Sequence, residues 1–578
     1  MAAERITGLP VFSTPSRVVL AAVIGLVGAT LSVPANASAA TSTPVSVGVV
    51  IPLSVQGGRD GFIDAPALAE YTSPTGLLTR ELDSVANTDV AIGIDPMIIA
   101  SIRLLGTSAP ESATAWLDRL GTLDNETFAL SYADSDVTVG LQAGSTEVIA
   151  PTSFDFAIDP ALFGTEVVET PDPEQTPAGP GETPALPTSE NLLDWNYSLG
   201  TVVWPQVNTV TSDDLAILGA SYDTTILNSG NVKRPSTGVA ASTVGTTATV
   251  VTDDDISALF AATIHAETST DWQQSFDELA SAVARVPGRS TSGGASILLG
   301  IDRGGFDTET RLRATLTALD NLASANTVPF SQLSDTKVGD ATLVESPHTD
   351  VRIGLVRSML DAEKSDAAFA TVAENPELIT GDFRIRLIAA MAPQWNRYPG
   401  GWGAEVRNYL TDSITLRSSV SIARSSDLIF GDRGSIPIYV NNELDQPVTV
   451  YIAVEPLSPV LTVEDQNFEV VVEPQSQRRA QIPAVSRSNG EVAIGISMHS
   501  GADVPIGTKK WVTVNVQAGW ETPTITILGI AVFAMFVFGI VRSIRRRRKL
   551  KAELAAESAS ASTTAHTTAN TTAEPGTE

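Results

Sequence analysis

The sequence predicts a multidomain chain: an α/β barrel-like domain, a helical segment, an immunoglobulin-like β-sandwich stalk and one C-terminal transmembrane helix. Three observations carry this reading. Short, near-continuous apolar runs alternate with amphipathic stretches through residues 45–335. The hydrophobic period falls to two beyond Asp432. A twenty-residue uncharged run, Thr522 to Val541, is followed at once by a cluster of arginines.

Residues 1–39 read as an export signal. Arg5 and Arg17 form a weakly basic start, the run from Val18 to Val33 is apolar, and the small residues of "PANASAA" suit cleavage after Ala37 or Ala39. An uncleaved anchor is the alternative, since the apolar run nearly spans a bilayer.

Eight strand candidates follow: 45–53, 89–95, 127–134, 200–205, 223–229, 247–253, 295–302 and 327–333. Continuous apolar runs suit a parallel sheet covered on both faces. Helical stretches between them, such as 211–221 and 307–325, open with Ser, Thr or Asp caps and acidic first turns. About eight β/α units predict a barrel-like domain over 45–335, with a doubly wound open sheet as the alternative. The Pro/Gly/acid-rich stretch 165–190 has no periodicity and reads as a disordered insert.

Apolar residues at helical spacing make 336–430 a helical segment. Ile436, Ile438 and Val440 then alternate, as do Val448, Val450, Ile452 and Val454, and the pattern continues to Val516. Such short alternating strands predict an immunoglobulin-like sandwich over 431–518, a stalk beside the membrane. The transmembrane helix is placed at 522–541, long enough for a ~30 Å hydrocarbon core. Arg545, Arg546, Arg547, Arg548 and Lys549 place residues 542–578 in the cytoplasm by the positive-inside rule, with anionic lipid headgroups as their partner. The Ala/Ser/Thr-rich remainder reads as a disordered tail. The bulk of the chain is therefore expected outside the cell membrane, as a single-pass protein.

Acids outnumber bases 66 to 36, for a net charge of −30, which argues against a nucleic-acid partner. The chain has no cysteine, so disulfides and thiol chemistry are excluded and each domain depends on its core. The four histidines show no ligand spacing, and no metal site or cofactor is expected. "GGRDG" (57–61) lacks the Lys-Ser/Thr of a phosphate loop, and no Gly-x-Ser-x-Gly elbow occurs.

In parallel barrels the site lies at the C-terminal strand ends. Those ends carry Asp95, Tyr132, Asp134, Asp136, Trp204, Asn228, Asp253 and Asp302. Carboxylates beside aromatics suit glycan recognition or glycoside hydrolysis. Asp95 before Pro96, and Asp136, also read as ordinary helix caps, and Asp302 as an ion-pair partner of Arg303. Asp95, Tyr132, Asp134, Trp204 and Asp302 remain the ligand candidates, and Asp134 and Asp136 are expected at the outward rim, both solvent-accessible, with Tyr132 near them. Trp395, Tyr398 and Trp402, around a Pro-Gly-Gly turn, form a second candidate surface that also reads as packing between helices.

The motifs "VVIPL" (49–53), "AIGIDP" (91–96), "SYADSD" (131–136) and "SIPIYVNNELDQPVTVYI" (435–452), with the stalk, span and basic flank, resemble an actinobacterial family of single-pass envelope proteins of unknown function. In that family the third motif commonly reads Pro-Tyr-Ala-Asp-Pro-Asp, from which Ser131 and Ser135 depart. The resemblance covers most of the mature chain and implies a cell-envelope setting, commonly encoded beside the peptidoglycan precursor flippase. It supplies no catalytic residues. The expectation is a membrane-anchored protein, non-enzymatic, that recognises envelope glycan or the precursor machinery. The alternative is a glycoside hydrolase-like enzyme using strand-end carboxylates.

Overall fold

The strand Val45–Leu53 (β1) is dominated by valine and isoleucine, and all but Ser46 are buried. That suits a central parallel strand covered on both faces. In the computed structural model β1 pairs on one side with Ala91–Ile94 (β2), and β2 with Thr127–Ala129 (β3). Val202–Val203 (β4) pairs with Thr224–Asn228 (β5), β5 with Thr247–Thr252 (β6), β6 with Ser296–Gly300 (β7), and β7 returns to β1. All these ladders are parallel. Between β3 and β4 no ladder forms among the described residues. There, the Thr127 carbonyl accepts from Leu199 N–H at 3.0 Å, and Thr127 donates its N–H to the Ser198 hydroxyl at 2.8 Å.

The structure describes residues 43–164, 186–234, 236–290, 294–301, 303, 311–334, 340–423, 428–431, 433–464, 467–516 and 521–560. The predicted signal peptide, Asp302 and the end of the tail lie outside them, as does most of the predicted insert.

Several expectations are corrected. The candidate at 327–333 is a short strand, Ala325–Thr327, beside the start of β1, followed by the helix Phe330–Ser334. Pro329 explains the switch, because proline lacks a ladder donor and is at home at a helix start. The insert predicted over 165–190 does not hold at its end, where Thr188 and Asn191 form a reciprocal capping box that starts the helix Ser189–Leu193. A flank of three further short strands lies outside the expected set, and its ladders are mixed: two are antiparallel, while Asp340–Leu343 runs parallel to Ala241–Val244. Ala241–Val244 pairs with β6, Asp340–Leu343 with Ala241–Val244, and Val232–Lys233 with Asp340–Leu343.

Three long helices follow, Asp350–Ala370, Glu377–Ala390 and Pro399–Ser418. Val356, Met359, Ile385, Ile388, Val406 and Tyr409 join the same buried core as β1 and its neighbours. The predicted Pro-Gly-Gly turn is the first turn of the third helix, where Pro399 at the start needs no N–H.

The alternating residues beyond the helices form two sheets facing one core. One holds Val420–Ile422, Arg433–Asn442, Ser476–Ser486 and Leu461–Val463. The other holds Leu428–Phe430, Lys510–Val516, Gly490–His499, Val448–Pro456 and Phe468–Val472. Strands thus begin at Val420, earlier than the predicted boundary at 431; the short Val420–Ile422 run follows the last helix directly and was absorbed into it. The chain closes with the helix Glu521–Ser560. Among the described residues this is the one helix long and apolar enough to cross a membrane, and its apolar side chains are exposed.

Candidate functional site

The strand β3 stops at Ala129, and the chain then turns sharply. Ala133 and Asp134 both adopt left-handed backbone conformations, φ +54° and +46°. Two consecutive non-glycine residues there store strain, of order 1–3 kcal/mol each, and persist only where neighbours over-determine them. Here the neighbours are explicit. Tyr132 Oη donates to the Gly61 carbonyl at 3.0 Å, and the Ser131 hydroxyl donates to the Ser135 carbonyl. Asp136 N–H donates to the Met391 carbonyl at 3.2 Å.

The turn presents Asp134 to a cleft of about 190 Å³ at the C-terminal ends of the strands. Ser54, just past β1, Glu81, Arg303, just past β7, Arg397 and Tyr398 also line it. Arg303 Nε lies 2.8 Å from Asp134 Oδ1, and the Ser54 hydroxyl donates to Asp134 Oδ2 at 3.4 Å. Arg303 also donates to the Trp204 carbonyl and stacks over the indole at 4.9 Å. Both members of the ion pair are largely buried. Its charges are therefore fixed and mutually neutralised at the floor of the cleft.

The predicted residues separate into three groups. Asp134 and Tyr398 come together in the cleft, although 264 positions apart in the chain is far beyond any local motif. Asp95, Tyr132 and Trp204 do not line it. Asp95 has no exposed surface; it caps the helix Pro96–Leu104 by accepting from Met97 N–H at 2.9 Å. Burial, then the Asp134 charge, pushes its carboxyl well above the usual range, with the amides of Met97, Ala133 and Asp134 opposing. Asp95 Oδ2 is buried and accepts no hydrogen bond of ordinary geometry. Tyr132 is buried against Phe154, and Trp204 is covered by Arg303. The expectation of an accessible rim is thus corrected. Asp134 and Asp136 are 7 % and 1 % exposed and Tyr132 is 4 % exposed, because the left-handed turn folds the motif inward instead of extending the strand.

Trp395 and Trp402 serve as anchors. Their indole N–H groups donate to the Ala389 and Ala390 carbonyls at 3.0 and 2.8 Å, and Arg352 stacks on Trp402 at 4.7 Å. Asp302 lies outside the described residues. Asp253 caps Asp254–Ile264 and pairs with Arg289 at 3.1 Å, while Asn228 holds Asp254.

Asp136 belongs to a separate buried cluster. It caps Val137–Gln142, accepting from Thr138 and Val139. Its Oδ2 lies 2.9 Å from His348 Nε2, with Arg352 at 4.0 Å. Burial alone favours the neutral acid, but the bond from His348, the charges of His348 and Arg352 and the Thr138 hydroxyl together hold the Asp136 carboxyl below the usual range. Sequence reading missed Arg303, Glu81, Arg397 and His348. Only Arg303, immediately after a strand end, carried a positional signal. No group of three metal-ligating side chains occurs among the described residues.

A family model described as a family of unknown function, DUF6049, matches residues 23–569. The chain belongs to this family. It matches none of the curated proteins with which it was compared. Solved structures resemble it only locally. An Escherichia coli alpha-2-macroglobulin, from domain MG7 to its C-terminus, is 15 % identical over 17 % of this chain and 16 % of its own, with TM-score 0.14. The E. coli chaperone DraB is 15 % identical over 17 % and 56 %, with TM-score 0.14. SSP-19, an MSP-domain-like protein of Caenorhabditis elegans, is 11 % identical over 16 % and 94 %, with TM-score 0.13. The chain thus spans less than two thirds of the first two. At these scores the similarities carry no argument about function.

Proposed function

We propose that this DUF6049 chain is a membrane-anchored, extracytoplasmic protein of the cell envelope that recognises a saccharide without transforming it. On this reading the seven parallel strands form a barrel-like bundle, and the sandwich is a stalk between that head and the membrane. Arg545 to Lys549 meet anionic lipid headgroups on the cytoplasmic side. One observation carries the reading: a strained, over-determined turn holds Asp134, already neutralised by Arg303, in a cleft whose lip bears the exposed Tyr398. A fixed hydrogen-bonding floor with an aromatic at the entrance suits a sugar ring, whose hydroxyls need acceptors and whose apolar face needs a flat partner. Partners in wall-precursor machinery are compatible with the same surface.

The hydrolase alternative draws on a specific observation as well, because Glu81 and Asp134 both line the cleft. The committed ion pair of Asp134 weighs against it: a nucleophile or base must be free to change charge state, and Arg303 opposes that. The test is a photo-crosslinking residue at Tyr398 in the full-length protein in cells, with the adducts identified. Glycan adducts are expected. Adducts only to protein would replace the saccharide with a protein partner, and glycan cleavage by the purified chain that Glu81→Gln abolishes would favour the enzyme.

A further inference from the structure

The cleft contains two arginines, and they are used differently. Arg303 is committed to Asp134 and to the Trp204 carbonyl. Arg397 is exposed, and among the described residues it has no hydrogen-bond or ion-pair partner. In a chain where acids outnumber bases 66 to 36, an idle guanidinium at a cleft wall is against the trend. The two acids that line this cleft, Asp134 and Glu81, are both buried below it.

The backbone under Arg397 is fixed. It ends the turn Pro393–Arg397, and Tyr398 N–H donates to the Trp395 carbonyl at 3.0 Å. Both indoles that flank this turn are anchored, Trp395 to Ala389 and Trp402 to Ala390. A rigid pedestal therefore carries an unused planar cation, with Gln394 and Gln56 in the same wall and the Tyr398 ring beside it. Five N–H donors in a fork match a carboxylate better than a neutral hydroxyl, and positioning the fork in advance lowers the entropy lost on binding.

We infer that the cleft selects an acidic saccharide, and that Arg397 is the residue that reads its carboxylate. This rests on the saccharide reading of the cleft. The ligand's sugar ring lies against Tyr398, and its carboxylate faces Arg397 at the wall. No bond is made or broken.

The experiment uses the full-length protein in detergent and two probes of similar size. One is the disaccharide of N-acetylglucosamine and N-acetylmuramic acid, which carries a lactyl carboxylate; the other is the neutral N,N′-diacetylchitobiose. Titration calorimetry at low and high salt is performed on the unaltered chain, Arg397→Gln and Arg397→Lys, with melting curves to confirm folding. The acidic probe is expected to bind about tenfold more tightly than the neutral one, a typical effect for a charge-assisted pair. Arg397→Gln should erase that preference, bringing the two probes to equal affinity, and Arg397→Lys should keep part of it. Equal binding of both probes, or a preference that survives in Arg397→Gln, overturns the inference and leaves the saccharide reading standing. Binding of neither probe overturns both.

Discussion

At the scale of single residues, the two buried acids of the "SYADSD" region and its neighbour strand behave oppositely. Asp136 has its carboxyl held down by His348, Arg352 and Thr138. A carboxyl depressed in the folded state contributes stability above its ordinary value near ~4, and that contribution is lost as pH falls through the depressed value. Asp136→Asn should therefore lower stability at pH 7 by about 3–5 kcal/mol, the usual cost of breaking a buried pair. The deficit should shrink below pH 4, which thermal melts across pH 3–7 will measure. Asp95 is the reverse case, since its raised carboxyl favours the protonated fold and opposes folding once pH rises through it. Asp95→Asn keeps the neutral cap and should melt close to the unaltered protein, while Asp95→Ala should lose about 1 kcal/mol as a missing N-cap. If Asn proved as harmful as Ala, the neutral state of Asp95 would be the wrong assignment.

At the scale of elements, the turn after β3 shows where sequence reading stops. β1 was legible because an unbroken apolar run leaves few alternatives to a covered parallel strand. The candidate strand 127–134 carries β3 on to Asp134, since the segment is a near-continuous apolar run with no glycine or proline to end it. Nothing local announces a left-handed turn at Ala133, because neither glycine nor asparagine stands there; bonds to Gly61 and Met391, distant in sequence, impose it. The pairings of Arg303 with Asp134 and of His348 with Asp136 are illegible for the same reason, as each joins partners far apart along the chain.

The same turn makes a prediction about Ser131. Its φ of −63° and ψ of 147° are those a proline adopts. Ser131→Pro should be accommodated, gaining up to about 1 kcal/mol through a stiffer unfolded chain, less whatever the Ser131 to Ser135 bond contributes. A drop of several degrees in melting temperature would show that the hydroxyl bond matters more. Gly61 is the opposite test. It sits at φ +76°, and a Cβ there would lie 2.4 Å from Ile385 Cγ2. Gly61→Ala should destabilise by more than 1 kcal/mol, because strain and overlap act together.

At the scale of the molecule, the helix Glu521–Ser560 separates an acid-rich bulk from a basic flank. Protease added outside intact cells should remove the head and sandwich and spare residues beyond Arg542; a tail cut from outside would reverse the proposed orientation. The cleft lies where the strand ends meet the Pro393–Tyr398 wall, so both parts are needed to complete it. This convergence was half legible: Asp134 and Tyr398 were each singled out, and only the fold brings them together.

The most direct measurement is titration of the full-length protein with soluble glycan fragments of the envelope, comparing the unaltered chain with Asp134→Ala and Tyr398→Ala variants that retain cooperative melting. Saccharide recognition at this cleft predicts binding to the unaltered chain and at least tenfold weaker binding to both variants, in keeping with about 1.4 kcal/mol or more per lost contact. No binding, or equal binding by all three proteins, would contradict it.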